Sequence, residues 1–181
     1  MSRNAILIGA TGLVGRTLLN NLVKQFDTLY LPVRKQFDCD EPNIVFLSFD
    51  QAKELEADSF FNCLGTTIKK AKSKENFERI DKGIPLQILN DNPRIENVYN
   101  ISSLGASKDS THFYLKTKGS LEEEINQLGK KLVIHYHPSI LDGDREESRP
   151  LEYVGIKAAR VLNFLPVFKK YAPTKVEDLA A

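Results

Sequence analysis

Tyr114 and Lys118 stand four residues apart, and Ser102 lies twelve residues ahead of the tyrosine. On a helix, positions i and i+4 share a face, so the phenol and the ammonium would lie side by side. An ordinary tyrosine titrates near pH ~10 and is a poor acid–base group at neutrality. A lysine cation one turn away stabilises the phenolate and can also hold a ribose hydroxyl. A serine hydroxyl delivered from a neighbouring strand would polarise a substrate carbonyl. A second group opens the chain, where Gly9-Ala10-Thr11-Gly12-Leu13-Val14-Gly15 follows the apolar run Ala5-Ile6-Leu7-Ile8. Strand, glycine turn and helix in this order present free backbone N–H groups to a phosphate at a helix N-terminus, with Thr11, Leu13 and Val14 expected at the cofactor beside the three glycines. Gly9 serves the tight turn, Gly12 the approach of a pyrophosphate, and Gly15 the close packing of helix on strand.

The elements that must position these groups follow from apolar periodicity. Strands are expected at Ala5–Ile8, Leu29–Val33, Ile44–Phe49, Phe60–Leu64, Asn97–Ile101 and Leu132–His137. Between them helical spacing runs over Leu13–Val23, over Lys74–Leu89 with Ser73 as N-cap, over Tyr114–Leu128 and over Tyr153–Leu165, which Pro166 stops. Glu122, Glu123 and Glu124 read as a solvated helix face. Alternation of this kind implies right-handed crossovers and an α/β, doubly wound parallel sheet in a single domain, residues 1–181. Ligands on such sheets bind beyond the carboxyl ends of the strands, which directs attention to the residues just after each strand.

After the second strand stand Arg34 and Lys35, where an NAD site usually carries an acid for the ribose 2′-hydroxyl. A cation pair there attracts a 2′-phosphate, so NADP(H) is expected over NAD(H); the plain alternative is two solvated loop cations. Asp50 suits the adenine amino group or, equally, a helix N-cap. Leu64, Gly65, Thr66 and Thr67 follow the fourth strand, Gly65 allowing close backbone approach and the threonines within reach of a diphosphate. Lys69, Lys70, Lys72 and Lys74 form a run without interleaved aromatics, which argues against nucleic acid. His135 and His137 alternate along the sixth strand and face one side. Without a third ligand they argue against metal and place His137 beside the cofactor, with Pro138, Ser139 and Ile140 near its carboxamide. Arg145 and Arg149 fit an anionic substrate less well than pairing with Glu146, Glu147 and Glu152.

Composition excludes several classes. The 181 residues are 41% hydrophobic and 27% charged, with a net charge of +1, which gives no general pull toward nucleic acid or an anionic membrane. No apolar run approaches the ~20 residues of a membrane span, and no basic-then-apolar leader precedes the first strand. Cys39 and Cys63 are the only cysteines; one in a polar loop and one in a buried strand do not suit a disulfide, and a cytoplasmic location is expected.

The chain resembles the short-chain dehydrogenase/reductase superfamily in its extended or atypical branch and, more closely, the Tat-interacting oxidoreductase family. The resemblance rests on Phe61-Asn62-Cys63-Leu64-Gly65-Thr66-Thr67, on Ile101-Ser102-Ser103 with Gly105-Ala106, on Tyr114-Leu115 with Lys118-Gly119, and on Asp144-Arg145 with Glu147-Ser148-Arg149-Pro150 and Glu152. It implies a Rossmann-like, NADP(H)-binding domain with Ser102, Tyr114 and Lys118 as the active site. The chain departs from the family in having His137 where an arginine usually precedes the proline. It also stops at Thr174–Ala181, where a helix is expected to start, so the family's C-terminal helix is expected to be missing.

The expected function is hydride transfer between NADP(H) and a small carbonyl or alcohol, with Tyr114 as acid/base, Ser102 orienting the carbonyl and Lys118 supporting both tyrosine and ribose. The alternative is a non-catalytic NADP(H) sensor acting through a protein partner, for which an intact tyrosine and lysine are not needed. A sugar-nucleotide epimerase ranks last, because only about forty residues follow the sixth strand.

Overall fold

The computed structural model describes residues 3–138, together with the backbone of 141–142 and 174–175. Six parallel strands form one sheet in the order β3-β2-β1-β4-β5-β6. They are β1 (Asn4–Ile8), β2 (Thr28–Pro32), β3 (Ile44–Leu47), β4 (Ser59–Asn62), β5 (Asn97–Ile101) and β6 (Leu132–Tyr136). The order reverses between β1 and β4, which opens a crevice at their carboxyl ends; this is the doubly wound, Rossmann-like arrangement. The four residues Ala5 to Ile8 are fully buried, as a central strand covered on both faces must be.

Side-chain alternation along β1 splits the core into two layers. Ala5 and Leu7 pack with Leu29, Leu31 and Phe61 beneath α1 (Leu13–Leu22), which contributes Leu19 and Leu22. Ile6 and Ile8 face the other layer with Phe60, Val98, Ile88 and Leu89, and with Leu121 and Ile125 of α5 (Phe113–Gln127). The short α2 (Ile68–Ala71) follows β4. Next, α3 (Lys74–Glu78), capped by the Ser73 hydroxyl on the Asn76 N–H, runs through a π-helical turn at Arg79–Gly83 into α4 (Ile84–Asp91).

Strand and helix positions agree with the periodicity, with local differences that have causes. The third strand ends early because Ser48 and Gln51 close a capping box that turns the chain into a 3-10 helix at Phe49–Gln51. Ser48 is therefore the cap and Asp50 is not. The fourth strand ends at Asn62 rather than Leu64 because the Asn62 Oδ1 accepts the Leu64 N–H at 3.1 Å and pulls the chain out of the ladder. Thr174–Lys175, expected to open a helix, is instead β8, paired in parallel with β7 (Leu141–Asp142). The expected helix Tyr153–Leu165, Ile140 and the segment Asp144–Glu152 lie outside the described residues.

Candidate functional site

At the head of α1 the three glycines have separate reasons to be glycine. Gly9 has φ +80°, and a Cβ there would lie 2.6 Å from the Leu64 N and closer still to the Cys63 carbonyl, so the ends of β1 and β4 touch through backbone. A Cβ at Gly15 would lie 2.8 Å from the Gly9 carbonyl carbon and closer to its oxygen. Gly12 differs. A Cβ there would meet only the Gly9 oxygen, at 3.3 Å, with open space otherwise. Gly12 is also the N-cap of α1, without a side-chain cap and without an acid in the first turn. Arg16 N–H is the first to bond back, to the Gly12 carbonyl at 2.9 Å. The N–H groups of Leu13, Val14 and Gly15 in the first turn thus have no partner within the helix, beside the exposed Thr11 and Gly12, a set of donors that suits a diphosphate.

Arg34 and Lys35 follow β2, exposed and without an ion pair among the described residues. Asp50 is exposed beyond β3. After β4 the backbone is already committed in part. Leu64 N–H goes to Asn62, Thr66 N–H donates to Asp81 Oδ2 at 2.9 Å, and Thr67 caps α2 by accepting the Lys70 N–H. Gly65 stays exposed between them.

Helix α5 carries Tyr114, Lys118 and Glu122 at one-turn spacing. Tyr114 is half-buried, its ring 5.9 Å from that of Phe77, which also meets Phe113. Lys118 is 3% exposed, its Nζ 3.3 Å from Asp81 Oδ1. Burial raises the Asp81 carboxyl, against the opposing pull of Lys118 and of the Thr66 N–H. Gly119, next to the lysine, makes room for the loop after β5: a Cβ there would lie 2.5 Å from the Lys108 N.

Ser102 is brought to α5. Its hydroxyl donates to Glu122 Oε1, and His137 Nε2 lies 2.9 Å from the same oxygen. Glu122 is two turns along the helix from Tyr114, about 12 Å of axial rise. The Glu122 side chain is only 16% exposed, which corrects its assignment to a solvated face; Glu123 and Glu124 do sit further out, paired with Lys108 and Lys82. The spacing 114, 118, 122 was the signal in the sequence that could have found it. Asp81 was missed as well. Its signal was an acid on the apolar stripe Phe77, Ile84, Pro85 and Ile88.

A second polar chain crosses the sheet beneath the site. Asn62, Asn100 and His135 are register partners on β4, β5 and β6. Leu64 N–H can only donate, so it sets the direction of the whole chain. Asn62 then donates to Asn100 at 2.8 Å, Asn100 Nδ2 to His135 Nδ1 at 3.0 Å, and His135 Nε2–H to Asn126 Oδ1 at 3.2 Å. His135 is therefore neutral with its proton on Nε2, and burial holds its pKa down. His137 makes its bond on the α5 side, and Pro138 is buried with its carbonyl accepting the Leu104 N–H at 3.0 Å. Cys39 and Cys63 are free thiols, and burial pushes the Cys63 thiol up to about 12. Among the described residues no cluster of three or more His, Cys, Asp or Glu could hold a metal, and no helix is long and apolar enough to cross a membrane.

No family model matches the sequence. The chain is 35% identical over 158 residues to the mitochondrial protein FMP52 of Debaryomyces hansenii, covering 81% of this chain and 70% of that one. It is 33% identical to the mitochondrial FMP52-2 of Scheffersomyces stipitis over 91% of this chain and 79% of the relative. Among solved structures it is similar to an aldohexose dehydrogenase of Thermoplasma acidophilum, with TM-score 0.69 at 13% identity, over 99% of this chain and 84% of that one. A short-chain dehydrogenase from Streptomyces avermitilis gives TM-score 0.65 at 16% identity, over 99% and 82%. At such identities the likeness establishes the fold. The expectation of a cytoplasmic protein does not stand, because the FMP52 relatives are named as mitochondrial; two free thiols do not separate the two compartments.

Proposed function

The chain belongs to the FMP52 family, and on that premise we propose that it is an NADP(H)-dependent oxidoreductase of the short-chain dehydrogenase/reductase type, acting on a small carbonyl or alcohol. Its likeness to the Tat-interacting oxidoreductases belongs to the same reading. So does a mitochondrial location, which a tagged chain followed in fractionated cells would test. One observation carries the chemistry: a buried ammonium, Lys118, lies one turn beyond the half-buried phenol of Tyr114, on the helix packed against the carboxyl edge of the sheet. The glycine turn of α1 ends at that same edge.

Bound there, the dinucleotide would supply or take up the hydride. The chain's residues would do the rest. Leu13, Val14 and Gly15 would hold the diphosphate by their N–H groups, with Gly12 leaving it room, and Arg34 and Lys35 would take the 2′-phosphate. Lys118 has only Asp81 as a partner among the described residues, so ammonium protons remain for a ribose hydroxyl. Tyr114 would give its proton to the carbonyl oxygen, or take one from the alcohol, with the lysine cation supporting the phenolate form. The Ser102 hydroxyl is committed to Glu122. In this reading Ser102 anchors the end of β5 on α5, and the adjacent Ser103, whose hydroxyl has no partner among the described residues, meets the substrate oxygen.

The test has two stages. NADPH affinity is measured by calorimetry, and NADPH oxidation is then followed over a panel of aldehydes, ketones and quinones, wild type beside Tyr114→Phe. The substitution keeps the ring against Phe77 and removes the proton carrier. NADPH binding should persist while turnover falls about 10²–10⁴-fold. Turnover that the substitution leaves untouched overturns the assignment. NADPH binding without turnover on any substrate moves the reading to a cofactor sensor.

A further inference from the structure

Asp81 is fully buried, and it sits on the apolar stripe of the α3–α4 helix pair, at the π-helical turn Arg79–Gly83. Turns of this kind inside α-helices are frequent at functional sites. Its two oxygens do different things. Oδ2 accepts the Thr66 N–H at 2.9 Å, in the loop beyond β4; Oδ1 makes no hydrogen bond and faces the Lys118 ammonium at 3.3 Å. Gly65 lies alongside, its notional Cβ 3.8 Å from Oδ1.

We propose that Asp81 is the positioning residue of Lys118: its carboxylate holds the lysine charged and aimed within a dry pocket, and the Thr66 N–H ties that aim to the loop after β4. The claim rests on the reading of Lys118 given above and adds what controls it. A lysine with 4% of its side chain exposed would shed its proton without a counter-ion. Other groups around it cannot serve. Cys63, at the end of β4, is a thiol held protonated by burial. Along α5, Tyr114 carries no carboxylate, and Glu122 is engaged by Ser102 and His137. Lys82, next to Asp81 in sequence, pairs outward with Glu78 and Glu124. Asp81 is the anion in contact with the ammonium among the described residues. Through Thr66 the same carboxylate senses the loop that lies against Gly9 at the switch between β1 and β4, so filling that crevice and setting the lysine are coupled.

Asp81→Asn tests this, because asparagine keeps the size and an oxygen for the Thr66 N–H. Two readouts are used. The first is the ¹³Cε shift of Lys118 followed by NMR from pH 6 to 10, with Lys118→Met providing the assignment; it needs neither cofactor nor turnover. In wild type the lysine should stay charged over this range, and in Asp81→Asn it should titrate below pH ~9, as an unpaired buried ammonium does. The second is NADPH affinity by calorimetry. In Asp81→Asn it should approach wild type at pH 6 and fall about tenfold for each unit above the new lysine pKa, while wild type stays level between pH 7 and 9. Should the single variant fail to fold, the neutral pair Asp81→Asn/Lys118→Met should fold, which identifies the orphaned charge as the cause. A Lys118 titration that Asp81→Asn leaves unchanged overturns the proposal. If wild type binds no NADPH, the proposed cofactor falls, and the NMR titration still decides the role of Asp81.

Discussion

Along β1 to β3 the carboxyl edge of the sheet is made of backbone, whereas from β4 to β6 it is made of buried polar side chains. Every buried polar or charged residue among those described lies at position 59 or later: Ser59, Asn62, Asp81, Asn92, Asn100, Ser102, Thr117 and Lys118. The first half buries none and relies on Gly9, Gly12 and Gly15, two of which are locked by contacts between main chains. A backbone site of this kind is rigid because a side chain anywhere in it collides. A side-chain site is rigid only if each member is satisfied, since an orphaned polar group in a low-dielectric interior is costly. The two halves therefore answer differently to substitution.

The largest expected contrast is within the glycine turn. Gly12→Val meets only the Gly9 oxygen, at a tight 3.3 Å, on an extended backbone (φ −82°, ψ 171°), so the protein should still fold, with a melting curve close to wild type, and lose NADPH binding. Gly15→Ala drives a methyl into the Gly9 carbonyl and should cost about 1–3 kcal/mol of stability by overpacking. Urea unfolding and calorimetry on both variants check this. A Gly12→Val protein that binds NADPH normally would break the division of labour between the glycines. Next, Arg34→Ala should weaken NADPH by about 1–3 kcal/mol, the worth of a charge-assisted hydrogen bond, and leave NADH nearly unchanged. Wild-type affinities that are equal for the two cofactors would remove the 2′-phosphate from the picture.

The smallest effect belongs to the side-chain half. His135 is neutral in the fold because Nδ1 accepts from Asn100, and its folded pKa lies below its unfolded one. Acid therefore favours the unfolded chain. The stability that the neutral ring contributes is complete above the ordinary histidine pKa and is lost as the pH falls through that value toward the depressed folded one. Melting temperature should decline over this window, and His135→Asn should flatten the decline while leaving the glycine site untouched. An unaltered acid limb in the variant would remove His135 as its cause.

The glycine half was legible in the sequence because its chemistry is local. A strand, a turn and a helix within twelve residues carry their own spacing, and a parallel sheet covered on both faces follows from alternation and crossover handedness. The α5 half was legible only where its partners share a helix, as Tyr114 and Lys118 do. That Lys118 meets Asp81, that Ser102 meets Glu122, and that an amide N–H at Leu64 fixes the tautomer of His135 through Asn62 and Asn100 rest on contacts between residues 20 to 38 positions apart. Periodicity assigns a residue to a face but says nothing of which face it will meet. Asp81 looked like an ordinary helix acid, and Glu122 one of three in a row, until packing took both out of water. By itself the sequence determined the doubly wound sheet and the glycine turn between β1 and α1, because hydrophobic period and backbone sterics act over a few residues. Only the tertiary structure decided which buried charges and hydroxyls are paired, because desolvation, which forces each of them to find a partner, exists only once the layers have closed.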